Sequence, residues 1–162
     1  MILEDHARKL EKPLTFMTIA LEEAREAAAL GEVPVGAVLV AQGRILARAG
    51  NRVVAQNDPS AHAEMLALRA GAAALGTWRL DGADLYVTLE PCAMCAGAIA
   101  LARVARLYYG TSDPKGGAVE HGPRFFAQPT CHHRPEVYSG FAEADCARLL
   151  RDFFAARRPD RP

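Results

Sequence analysis

Apolar residues at Phe16, Ile19, Ala20, Ala24, Ala27 and Ala28 recur three and four positions apart. That spacing is the stripe of an amphipathic helix, predicted from Phe16 to about Leu30, with Thr15 as its cap and Gly31 as its stop. The pattern then changes. Val33–Val40 and Arg44–Asn51 are largely apolar stretches separated by Ala41-Gln42-Gly43, which reads as an antiparallel hairpin. Asp58 as cap and Pro59 as first helical residue open a second helix that runs to about Leu75 and Gly76. Asp84–Glu90 reads as a short buried strand, Pro91 to about Ala102 as a helix, and Arg106–Thr111 as another strand. A short strand near Glu136–Tyr138 and a helix over Ala142–Arg158 complete the pattern. The Gly- and Pro-containing segment Asp113–Thr130 lies between, and long loops in compact domains are often functional. Strands alternating with helices after a hairpin imply an α/β fold, a mixed sheet with helices on both faces.

Size and composition bound this picture. A chain of 162 residues is about one domain and needs no disulfides to be stable, since it can bury roughly 70% of its unfolded surface. The expected organisation is an N-terminal leader over residues 1–14, one domain over 15–158 and a tail over 159–162. Nineteen basic and nineteen acidic residues cancel, so no global charge draws the chain to nucleic acid. Any RNA binding must come from a local patch. The N-terminus is mixed and charged, without the apolar core of a signal peptide or a membrane span. Four cysteines, two of them at metal-ligand spacing, fit a reducing compartment. A cytoplasmic location without membrane association is therefore expected.

The chemistry sits in two fragments, His62-Ala63-Glu64 and Pro91-Cys92-Ala93-Met94-Cys95. They supply one imidazole, two thiols and one carboxylate. Three N/S ligands with a free acid are the inventory of a catalytic zinc site, which keeps one position for water, whereas a structural zinc is closed by four protein ligands. Cys92 and Cys95, three apart at a helix start, can grip one ion, and the helix dipole there favours thiolate. Glu64 stands two residues from His62, so a regular helix does not place it directly beside that ligand. This suits a proton shuttle approaching from another side. Two other readings stay open. The cysteines could be core residues, or Cys131, His132, His133 or Cys146 could close a structural zinc in a non-catalytic module.

This H-x-E…P-C-x-x-C arrangement is the established signature of zinc nucleobase deaminases. With the strings Glu32-Val33-Pro34-Val35-Gly36-Ala37-Val38, Ala61-His62-Ala63-Glu64 and Thr88–Ala98, the chain resembles the bacterial tRNA adenosine deaminases of the cytidine-deaminase-like superfamily. Asp113-Pro114-Lys115 followed by Gly117-Ala118 matches a substrate-side loop of that family. The resemblance covers roughly Phe16 to Arg158. It implies a three-layer α/β/α fold with a five-stranded mixed sheet, a homodimer, one Zn2+ per subunit and no organic cofactor. The implied reaction is conversion of the wobble adenosine of a tRNA anticodon stem-loop to inosine.

Position by position, the resemblance makes His62, Cys92 and Cys95 the zinc ligands and Glu64 the acid/base. Asn51 would hydrogen-bond the target base, Val35 would pack on it, and backbone groups near Leu89 and Glu90 would line the pocket. Asp113 would touch the substrate backbone, and Lys115, His133, Arg134 and Phe154 are the further candidates for substrate contact. In the C-terminal helix, Arg148, Arg151, Arg157 and Arg158 around Phe153-Phe154 could grip phosphates and stack a base, or could be solvated residues flanking core aromatics. The chain departs from the better-known pattern after Lys115. Where that pattern runs Gly-Ala-x-Gly-Ser, here Gly117-Ala118 leads into Val119-Glu120-His121, and His132-His133 replaces an Asn-His pair. The runner-up substrate is a free base, nucleoside or nucleotide of guanine or cytosine type, which zero net charge favours slightly.

Overall fold

A computed structural model of the chain describes residues 2–158, with the backbone alone at 2–12 and 14. The expected tail over 159–162 lies outside the described residues. Helix α1 spans Ile2–Ala29 and is followed by strands β1 (Gly36–Ala41) and β2 (Arg44–Gly50). Then come α2 (Val53–Gln56), α3 (Ala63–Leu75), β3 (Asp84–Leu89), α4 (Ala93–Leu101), β4 (Arg106–Thr111), β5 (Glu136–Ser139) and α5 (Glu143–Ala155). The strands form one mixed five-stranded sheet in the order β2-β1-β3-β4-β5. β1 is antiparallel to both β2 and β3, while β3, β4 and β5 run parallel.

Strand alternation divides the core into two halves. Val38, Val40 and Tyr86 face Met17, Ala20 and Leu21 of α1 and Cys146 of α5. Ala37, Leu39, Leu85, Val87 and Leu107 face Ala63, Ala67 and Leu68 of α3 and Ala96 and Ile99 of α4. The three-layer α/β/α arrangement expected from the resemblance is therefore the observed one. The hairpin turn is the two residues Gln42 and Gly43, both at positive φ (50° and 74°), the backbone that matches strand twist in a two-residue connection. On the α1 face Gly36 is fixed by packing: a Cβ there would overlap the Ala20 carbonyl oxygen and lie 2.7 Å from the Ala24 nitrogen. Gly36→Ala is expected to cost about 1–3 kcal/mol through forced separation of helix and strand. The urea midpoint of unfolding would show it.

Three helix starts differ by two residues or more from the pattern-based expectation, β1 begins at Gly36 rather than Val33, α5 ends at Ala155 rather than Arg158, and the short α2 was not expected. Thr15 is not a cap. α1 continues back to Ile2 with Pro13 inside it and crosses the boundary expected between leader and domain. Residues 2–12 are mostly good helix formers, and one missing donor at Pro13 does not end the helix there. Asp58 does not open α3 either. Its Oδ1 accepts hydrogen bonds from the Ser60 N–H (2.8 Å) and hydroxyl (2.7 Å), a local Asx turn that competes with helix capping. Helix α3 starts later, with His62 in extended backbone as its N-cap. Likewise Pro91 precedes the helix, and Cys92 is the extended N-cap of α4.

Candidate active site

These shifted starts build the site. Parallel pairing of β3 with β4 brings Leu89 to the end of the sheet where α4 begins, and α3 begins alongside. His62 Nδ1 lies 3.6 Å from Cys92 Sγ and 3.5 Å from Cys95 Sγ. The three donor atoms all fall within 4.8 Å of one another, and among the described residues they form the one such group of three. A tetrahedral zinc with ordinary Zn–S and Zn–N bonds holds sulfur and nitrogen ligands about 3.5–3.6 Å apart. The donor set thus fits zinc in chemistry and spacing. None of the rival closing ligands joins this group: Cys131 Sγ donates to the His133 carbonyl, and Cys146 packs between α5 and Gly110.

The surroundings tune these groups unequally. A hydrogen bond from the Cys95 thiol, aided by the Cys95 N–H and the nearby His62 charge, outweighs burial and brings the Cys92 thiol down to about 5. Cys95, on the donating side of that bond and fully buried, is driven strongly upward. Cys92 is therefore the first of the pair to ionise. Glu64 is 4% exposed, and burial, with the Cys92 charge adding, pushes its carboxyl up to about 7 against the opposing pull of its own N–H and of His62. A buried acid with that value can both take and give a proton near neutrality.

A cavity of about 520 Å³ opens above these residues. Its lining includes His62, Glu64 and Cys92 together with Val35, Asn51, Leu89 and Asp113, so the central candidates from the sequence converge on one space. Asn51 Oδ1 accepts the Ala63 N–H at 2.8 Å, at the first turn of α3. Its amide N–H₂ is left as the group to offer a ligand. Lys115 and Phe154 line a second, adjoining cavity with Arg157 and Arg158; it shares Asp113, Gly116 and Arg157 with the first.

His133 and Arg134, expected as substrate contacts, line neither of these two cavities. They precede β5, which is parallel to β4, so they lie at the opposite end of the strands from Leu89. His133 Nε2 is 2.6 Å from the Val104 carbonyl and anchors that end of the sheet. The C-terminal aromatics divide their work: Phe153 is buried and lines the main cavity, while Phe154 is 47% exposed. Arg157 stacks on the Phe153 ring, 3.6 Å from its centroid, and reaches both cavities.

Two acids of the cavity lining, Glu32 and Glu90, have side-chain roles that the sequence did not assign. Glu32, buried, accepts the N–H groups of Val54 (3.2 Å) and Ala55 (2.8 Å) and so holds α2 over the site. Its signal was an acid standing in an otherwise apolar string. Glu90 is the second. It is 2% exposed and accepts from Asp113 N–H at 3.2 Å, from the N–H groups of Val119, Glu120 and His121 at 3.2, 3.3 and 3.2 Å, and from His121 Nδ1 at 2.7 Å. Burial alone would raise its carboxyl, but the hydrogen bonds of His121, Asp113 and Val119 outweigh it and hold the group below the usual range.

A ligand-sized cavity lined by His62, Cys92 and a buried acid, with Cys95 beside them, and set at the end of a mixed α/β sheet, defines the class of zinc-dependent hydrolases that act on nucleobases. Comparison with known proteins narrows the class. Residues 10–111 match the cytidine and deoxycytidylate deaminase zinc-binding region. The tRNA-specific adenosine deaminase of Agrobacterium fabrum is 62% identical over 145 residues, 90% of this chain and 95% of that protein. The tRNA-specific adenosine deaminase of Bacillus subtilis is 48% identical over 143 residues, 88% and 89% of the two chains. Among solved structures, one from a study of A-to-I editing by tRNA:A34 deaminases at the wobble position of transfer RNA is 62% identical, with a TM-score of 0.83, covering 84% of this chain and 99% of that one. A guanine deaminase from Nitrosomonas europaea is 28% identical with a TM-score of 0.71, covering 88% and 85%. The chain belongs to the zinc-binding cytidine and deoxycytidylate deaminase family, in its branch of bacterial tRNA-specific adenosine deaminases.

Proposed function

We propose that this chain hydrolytically deaminates the wobble adenosine of a tRNA anticodon loop to inosine. The observation that carries the reading is the convergence of His62, Cys92 and Cys95 beside buried Glu64 in the 520 Å³ cavity, in a chain 62% identical to a tRNA-specific adenosine deaminase. Residues 15–158 are read as the deaminase domain. The family resemblance adds one zinc per subunit and a homodimer, and the cysteine usage and N-terminal composition favour a cytoplasmic location. Among the described residues, no helix is long and apolar enough to cross a membrane.

His62, Cys92 and Cys95 would hold the zinc, which when bound activates the attacking water by lowering its pKa. The target base leaves its stack and enters the cavity. Asn51 offers its amide N–H₂ to the base edge, and Val35 and Leu89 supply apolar contact. Glu64 takes a proton from the water as the water oxygen bonds to C6. It delivers that proton to the adjacent ring nitrogen and then transfers the second to the departing amine. One water is consumed and one ammonia leaves. Asp113 and Lys115, with Phe154, Arg157 and Arg158 across from them, form the rim that meets the RNA backbone.

The deciding assay offers zinc-loaded protein an anticodon stem-loop bearing a wobble adenosine, with free bases and nucleosides in parallel. Inosine in the stem-loop supports the reading. Turnover of free guanine or cytosine with the stem-loop untouched would transfer the same chemistry to the runner-up substrate. A rim arginine gives a second check. Arg157→Ala should raise the stem-loop KM about 3- to 10-fold and lower the slope of log affinity against log salt by about 0.7–0.9, because one phosphate neutralisation is lost. Kinetics at several salt concentrations would reveal an unchanged slope, and that would remove Arg157 from the interface.

A further inference from the structure

We infer that Glu90 is a positioning residue for the substrate, holding the Asp113–His121 loop in place with the His121 imidazole as its side-chain partner; the inference rests on the RNA reading above. The loop contains no regular element, yet it supplies Asp113 and Gly116 to the main cavity and Lys115 to the adjoining one. Its shape must come from fixed acceptors. Glu90 is the centre of these. Oε1 takes the Asp113 N–H and the His121 ring, and Oε2 takes three successive N–H groups, Val119 to His121. With four backbone N–H groups converging on its two oxygens, the Glu90 carboxyl serves as the acceptor, and the His121 proton resides on Nδ1. Around this centre, Glu90 N–H donates to the Thr111 carbonyl at 2.9 Å and Ala118 N–H to the Pro91 carbonyl at 2.9 Å. Gly117 passes so close that a Cβ would overlap both Glu90 Oε2 and the Asp113 carbonyl. The rim of the RNA site is thus clamped to the residues that lead into Cys92.

The Asp113 carboxylate is itself committed within the loop, accepting the N–H groups of Lys115 (3.1 Å) and Gly116 (3.0 Å). It follows that the position of this rim depends on one buried acid from outside the loop. His121 stands where the better-known pattern has a serine, whose shorter side chain has no ring nitrogen to offer Glu90.

Glu90→Gln tests the assignment. Glutamine presents an N–H₂ group where one carboxylate oxygen stood. The least costly orientation puts that group at Oε1, where His121 can change tautomer but the Asp113 N–H cannot. The expected result with the stem-loop is a KM raised about tenfold, kcat within about threefold of wild type, and amide exchange of the 113–121 peptide accelerated about tenfold. Zinc content and exchange in α3 and α4 should stay unchanged. A fall in kcat at constant KM, loss of zinc, or faster loop exchange with normal KM would each overturn the positioning role.

Should Glu90→Gln fail to fold, half-exposed His121 provides a milder substitution. His121→Ala should raise KM about threefold, and His121→Asn, which keeps a donor, should restore it. An unaltered KM in His121→Ala overturns the clamp. If wild type leaves the stem-loop untouched, the substrate reading falls. Loop exchange in the two alanine and glutamine variants then decides by itself whether Glu90 and His121 hold the loop.

Discussion

Glu64→Gln is expected to retain zinc and to lose about 100- to 10,000-fold in kcat. The amide is close in size to the acid, and Glu64 is buried at the first turn of α3, so the packing of that helix is preserved. What disappears is the ability to accept a proton and release it again. Burial raises this carboxyl toward neutrality, the direction needed by a group that must both take and give a proton. KM for the stem-loop should move little, because Asn51, Val35 and the loop rim remain. Metal analysis alongside inosine quantification separates the possibilities. A variant with full zinc and full activity would remove Glu64 from the proton path, and one that lost its zinc would make Glu64 a support of the metal site instead.

Cys92→Ala is expected to lose both bound zinc and all measurable turnover. It leaves only an imidazole and one thiol, and Cys95 loses the partner that shares its proton. Structural disturbance should be small, because Cys92 is half-buried at the helix N-cap, whereas Cys95 is fully enclosed. The helix keeps its start: the Cys92 carbonyl still accepts the Ala96 N–H at 2.8 Å. Zinc measured after dialysis, beside far-ultraviolet circular dichroism, tests this directly. A folded variant that still carries a stoichiometric zinc and turns over would show that the ligand set is wrong.

The two predictions differ in how their residues could be found. His62, Glu64, Cys92 and Cys95 are legible because the chemistry demands rare residue types at fixed short spacings, and a helix start converts spacing into proximity. The strands were equally legible, since period-two burial writes itself into apolar runs. Positions that act through local competition were less so. Asp58 looks like a helix cap in sequence, but its side chain satisfies Ser60 in a turn, and only the backbone path reveals that His62 takes the N-cap position. Thr15 looked like a helix start because the upstream residues carry no clear apolar stripe, while their helix propensity was enough to extend α1.

The sequence by itself determined the candidate metal donors, the candidate proton carrier and the α/β layering, because each depends on residue type and on contacts within a few positions. Only the tertiary structure decided which residues line the two cavities. His133 and Arg134 are basic and close to Cys131 in the chain, yet parallel pairing of β4 and β5 carries them to the far end of the sheet. Phe153 and Phe154 are neighbours in sequence, yet α5 turns one into the main cavity and the other toward the adjoining one. Glu90 and His121 are 31 positions apart, and nothing local links them. Their contact exists because a buried carboxylate must find donors, and a loop without regular structure must find an acceptor. Each meets that need in the other once the sheet has brought them together.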